Sequence, residues 1–182
     1  MSKSPIQKVL EAFGEDATLT SMRVLGRRTI GDNKTYGEAS GKLRESLTYD
    51  VVKKKDIYSV RFGSPLPQGD FIYFGVNGTH KNQGSPFSYG TKQPPTKAIR
   101  EWMRVKPVRM RADSGQFVTQ NESAMNGIAY VIARSIKKYG IASLKYWDIG
   151  IDEVLPKWEH KIMSAMLDEF HDGLTDEDPN FK

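Results

Sequence analysis

The segment Asn121 to Ile141, NESAMNGIAYVIARSIKKYGI, constrains this chain more than any other stretch. Met125, Ile128, Ala129, Ile132, Ile136 and Tyr139 recur at helical spacing, so the segment reads as an amphipathic helix that must lie on a core. Tyr130, Arg134, Lys137 and Lys138 fall opposite them, and Gly140 stands where a helix C-terminus places a left-handed residue. One face needs apolar cover; the other needs an anion or water. No side chain on it acts as acid, base or nucleophile at neutral pH without a partner that the sequence does not show, which points to a scaffold rather than a catalyst.

A chain of 182 residues can bury one substantial core, and its length favours a single domain, 1–182. Within it we read an N-terminal helical lead-in at 1–40, an α+β core at 41–141, a C-terminal helix within 142–174 and a mobile acidic tail at 175–182. The apolar runs are only a few residues long, far short of the roughly 20 needed to span a bilayer, so no membrane partner is expected. The start, MSKSPIQKVLEAFG, lacks the apolar segment and cleavage site of a secretion signal, and a reducing compartment fits best. Absence of cysteine removes disulfides, thiolate nucleophiles and cysteine-bearing zinc sites together. His160 and His171 share a helical face about 16 Å apart along its axis, too far to hold one metal ion. No cofactor is expected.

Charge is divided unevenly. Residues 1–147 carry 24 Lys and Arg against 12 Asp and Glu, whereas 148–182 carry 3 against 10. The body favours phosphate or an acidic protein surface; the tail favours a basic neighbour or another copy of the chain. Head-to-tail self-association is one use of such polarity, and a solvated acidic end that keeps the chain soluble is the other.

Along the chain, Ser4 and Pro5 open a short helix carrying Ile6, Val9, Leu10 and Phe13 to Gly14, and a second runs from Thr18 to about Arg28. The glycines between Thr29 and Gly41 mark a loop. Alternation in 47–63 predicts a β-hairpin, and FIYFGV at 71–76 is a third strand candidate. Residues 78–95, GTHKNQGSPFSYGTKQPP, read as a long irregular connection, with His80, Lys81, Phe87, Tyr89 and Lys92 as candidate partner contacts. The alternative is that Phe87 and Tyr89 fold back on their own sheet. Thr96 caps a helix with Ile99, Trp102 and Met103 inward, ended by Pro107, and 107–120 is a basic connection. After the helix at 121–139, a final helix spans about 152–171, with Leu155, Trp158, Ile162, Met166 and Phe170 on its buried face and Pro156 in its first turn. The fold class is therefore α+β, a small antiparallel sheet of three to four strands packed by helices.

Chemical motifs are sparse. Gly84 to Lys92 lacks the spacing of a phosphate-binding loop. Asp148, Asp152 and Glu153 form the one tight acidic group near a helix start, and capping and dipole roles explain them better than a nuclease metal site. Asp168, Glu169 and Asp172 read as solvated charge. Arg100, Arg104, Arg134, Lys137 and Lys138, with Arg109 and Arg111, form a candidate basic surface able to touch phosphates without reading sequence. Asp168, Asp172, Asp176, Glu177 and Asp178 form a candidate acidic contact.

Four segments, GKLRESLTYDV at 41–51, FIYFGVNGTH at 71–80, KAIREWMRVK at 97–106 and IAYVIARSIKKYGI at 128–141, together resemble the head-tail connector and tail-completion proteins at the neck of tailed bacteriophages. The resemblance covers residues 41–141. It implies a non-enzymatic virion protein that forms or joins a ring of about six or twelve copies between a portal-side adaptor and the tail, closed by heterologous contacts. It further implies contact with passing DNA and residence in the host cytoplasm during assembly. A tail terminator ring component and a sequence-independent nucleic-acid-binding protein are the alternatives.

Overall fold

The computed structural model describes residues 3–26, 40–55, 57–105, 115, 117 and 121–177. Its elements run α1 (Pro5–Gly26), α2 (Lys42–Glu45), β1 (Thr48–Lys54), β2 (Ile57–Gly63), α3 (Gln68–Phe74), α4 (Thr96–Val105), α5 (Glu122–Tyr139) and α6 (Tyr146–Glu177). This is a small α+β fold. They form two compact units, the first holding α1, α2, the β-hairpin and α6, the second α3 to α5 with the loop that joins α3 to α4.

The first unit is an antiparallel helix pair under a hairpin. Ile6 and Leu10 of α1 pack with Ala165 of α6, while Phe13 and Ala17 pack with Val154. Across the hairpin Tyr49 pairs with Phe62, Val51 with Val60 and Lys53 with Tyr58. The period of two puts these six side chains on one face. From that face Val51, Tyr58, Val60 and Phe62 complete the two helix clusters. Opposite charges, Asp50 and Arg61, pair on the other face.

Polar ties fix the helices lengthwise. Asp16 accepts hydrogen bonds from Lys157 Nζ (2.8 Å) and Trp158 Nε1 (2.9 Å), which hold its carboxyl below the ordinary carboxylate range. Burial opposes ionisation of Glu169, yet hydrogen bonds from Tyr58, Ser4 and Lys53 together outweigh it and lower its pKa. Of these the Tyr58 hydroxyl donates at 2.6 Å. Glu169 is thus a structural carboxylate rather than the solvated charge its neighbours suggested.

Three sequence expectations are corrected in this unit. One continuous helix, Pro5–Gly26, replaces the expected pair at 4–14 and 18–28, whose residues 27–28 lie outside the described residues. Gly14 is there because it lies under the Tyr49 ring, where no side chain fits, and packing of α1 on α6 carries the helix through it. The final helix begins at Tyr146 and ends at Glu177 rather than spanning 152–171, and Pro156 lies inside it. An interior proline costs about 3 kcal/mol in an isolated helix. Here the packing of Val154 before it and of Trp158, Ile162 and Ala165 after it offsets that cost. Asp152 and Pro156 are both exposed, so water can solvate the carbonyl that proline leaves without a donor.

In the second unit Ile99 and Met103 of α4 pack on Ile128, Ala129 and Ala133 of α5, flanked by Met125, Ile132 and Ile136. Asn121 caps α5, its Oδ1 accepting from Ala124 N at 2.8 Å, and Gly140 N closes on Ile136 O at 2.8 Å. Residues 71–74 of the expected third strand at 71–76 belong instead to the helix α3, so among the described residues the sheet has two strands rather than three or four. An unbroken apolar run such as FIYF does not distinguish the two periods. Just after α3, isolated bridges join Val76 to Ile141 and Asn77 to Ser88. Trp102 and Tyr139, expected inward, are exposed. No described helix is long and apolar enough to cross a membrane.

Candidate functional site

The loop after α3 is built around the C-terminus of α5. A helix end leaves its last carbonyls without intrahelical donors. Here Thr79 N donates to Lys137 O (2.9 Å), His80 N to Lys138 O (2.9 Å) and Gln83 Nε2 to Tyr139 O (2.9 Å). With Gly140 N on Ile136 O, all four terminal carbonyls have partners. Asn77 holds the loop in shape: its Oδ1 accepts from Gln83 N and Ser85 N, and its Nδ2 donates to Ser85 O. The stretch expected to be irregular is therefore an ordered clamp.

The candidate contact residues divide on this clamp. His80 and Lys81 are exposed at its tip, and Lys92 is exposed beyond it. Phe87 and Tyr89 turn inward instead. Phe87 meets Phe71 at 4.9 Å and Phe74 at 6.2 Å between ring centroids, both edge-to-face, and burial raises the Tyr89 phenol pKa. Lys145 lies over the Tyr73 and Phe74 rings at 4.4 and 4.7 Å. Replacing Phe87 with serine should accordingly destabilise the second unit, by about 2–3 kcal/mol. A urea midpoint unchanged by that substitution would return Phe87 to the role of a free anchor.

Of the candidate basic residues, Arg134 and Lys138 are exposed on the outer face of α5. Lys137 is not free on that face: its Nζ donates to Thr91 O at 2.7 Å and ties the clamp's far end down. Arg100 donates to Asn126 Oδ1 at 2.7 Å, and Arg104 approaches Glu122 at 4.0 Å in an exposed pair of little energetic weight. Arg109 and Arg111 lie outside the described residues. Among the acidic candidates Asp168 and Asp172 are exposed on α6, Asp176 and Glu177 belong to its last turn, and Asp178 lies outside the described residues. Asp148 is in the first turn of α6, with Asp152 and Glu153 one turn later. No group of three or more His, Cys, Asp or Glu among the described residues is placed to hold a metal ion.

Sequence reasoning missed one feature. The buried face of α6 is formed by Val154, Trp158, Ile162 and Ala165, whereas Leu155, Met166 and Phe170, expected inward, are 40, 56 and 67 % exposed. With Met163 and Leu167, 59 and 65 % exposed, they leave an apolar stripe on the solvent side. The signal was present, since 151–170 has more large apolar residues than one helical face can use. No family model, curated protein or solved structure matches this chain.

Proposed function

We propose that this chain is a non-catalytic structural subunit of a tailed-bacteriophage virion, forming or joining a ring at the head-tail interface. The observation that carries the reading is the solvent-side apolar stripe of α6, because five large exposed apolar side chains, four of them (Met163, Met166, Leu167 and Phe170) within about two turns, call for a partner surface. Segregated charge supports it. Residues 67–145 carry 12 Lys and Arg against 4 Asp and Glu, whereas the chain after 147 is acidic. A ring subunit presents two different surfaces to its two neighbours, and opposite charges suit that requirement. The resemblance of residues 41–141 to neck proteins agrees with it, and so does the absence of any motif that would supply catalysis. The subunit acts in the virion and waits in the host cytoplasm until assembly.

Density-gradient-banded phage particles from the source, assayed for this chain relative to the major capsid protein, test the proposal. A low fixed copy number, about six or twelve per particle, is expected of a closed ring. Absence from intact particles overturns it. The same basic surface would then favour the nucleic-acid reading, in which affinity for duplex DNA falls steeply with salt.

A further inference from the structure

The apolar stripe of α6 and the outer face of α5 match each other in pattern and charge. On α6, Met163, Met166, Leu167 and Phe170 follow the i, i+3, i+4, i+7 spacing, opposite the side that packs in the first unit. Glu159 precedes the stripe by one turn on the same face, and neither Lys nor Arg occurs between Lys161 and Lys182. On α5 the outer face consists of Gly127, Tyr130, Val131, Arg134 and Lys138, with Tyr130 49 % and Val131 57 % exposed. Neither Asp nor Glu occurs between Glu122 and Asp148.

Gly127 supplies an independent observation. It stands in the middle of α5, where glycine weakens a helix, and nothing lies within 4 Å of where its Cβ would be. Among the described residues nothing uses that space. A helix docking from outside does use it, since an absent side chain lets a large one approach the backbone.

We propose that α6 of one copy docks antiparallel on the outer face of α5 of a second copy. Equal rise along the two helices brings Phe170 over Gly127, Leu167 and Met166 against Tyr130 and Val131, and Met163 along the stem of Arg134. Glu159 then meets Lys138. The acidic end of α6 points towards the N-terminus of α5, the positive end of its dipole. The two surfaces differ, so the contact is heterologous and propagates from copy to copy. This rests on the ring reading in taking the partner to be another copy of the chain.

The chain has no cysteine, so single thiols report the contact without background. Met166→Cys and Val131→Cys variants of the full chain are mixed at about 1 mM, enough to half-fill a contact of millimolar affinity, and oxidised, with circular dichroism confirming that each is folded. The expected product is the mixed 166–131 disulfide. Pairing Met166→Cys with Lys138→Cys should give little, because about 10 Å of helix separates positions 131 and 138 and a disulfide needs Cα atoms within about 7 Å. Adding Lys138→Glu to the Val131→Cys chain should cut the mixed product roughly tenfold. Glu159→Lys in the other chain should restore it. A dominant 166–166 product, a 166–138 product, or no mixed disulfide in the folded variants overturns the docking. If particles still contain about six or twelve copies, the ring reading survives that failure; if the disulfide forms but particles lack the chain, the contact survives and the virion assignment falls.

Discussion

Replacing Gly140 with alanine should lower the stability of the second unit by about 3 kcal/mol, among the larger effects a single methyl can have. Two causes add. Gly140 adopts φ of 74° and ψ of −164°, a positive-φ extended conformation that essentially only glycine enters. It also lies where the clamp crosses the end of α5, so that an added Cβ would run into Val76 O and Gly78 N. Both are backbone atoms, Val76 O accepting from Ile141 N and Gly78 N donating to Lys81 O, and a side-chain rotation cannot relieve the clash. Gly84 tests a positive φ without the clash: its φ is 71°, and among the described residues nothing lies within 4 Å of its Cβ position. Gly84→Ala should therefore show backbone strain alone, about 1–2 kcal/mol. Urea denaturation followed by circular dichroism measures both. Equal losses for the two variants would mean that the clamp yields to the methyl and does not hold α5 as described.

A comparable loss, about 3 kcal/mol, is expected from Gly150→Val in the first unit. A Cβ at Gly150 would meet the Ser21 side chain and would lie 2.8 Å from Ser21 N and 3.0 Å from Ser21 Cα. Ser21 is fully buried, and its hydroxyl already donates to Ala17 O at 2.9 Å within α1. Valine would push α6 off α1 and loosen the packing of Ala17 on Val154 in the adjoining turn. Trp147 and Trp158 lie on α6, so their fluorescence reports the change; Trp102 is the third tryptophan. A midpoint within 1 kcal/mol of the parent chain, by the arithmetic of ordinary surface changes, would show that the helices do not cross this closely.

Gly14 and Pro156 teach the same lesson from the other direction. Each reads as a helix breaker, and each stands inside a continuous helix. Local propensity is a matter of about 1 kcal/mol for glycine and 3 for proline, whereas α1 and α6 bury side chains against each other along most of their length. Long-range packing of that extent outweighs a single unfavourable residue. The phase of α6 was hidden for a related reason. Ala165 touches Ile6 and Leu10 while Met166 and Phe170 face solvent, so the small residue packs and the large ones do not. A count of hydrophobic mass along the helix points the opposite way.

What the sequence determined by itself is what local rules can encode. The cap-to-glycine span of α5, the 48–63 hairpin with its alternating face and the α4 stripe of Ile99 and Met103 all follow from periodicity and termination within a few residues. The division of charge between a basic body and an acidic end belongs to the same class, because it is a sum over residues. Tertiary structure decided the rest: that FIYF coils rather than extends, that the 76–90 loop closes the end of α5, that Phe87 turns inward, and which side of α6 remains uncovered. Each of those outcomes depends on partners far away in the chain, and an apolar residue carries no mark of whether it will be covered by its own molecule or by another.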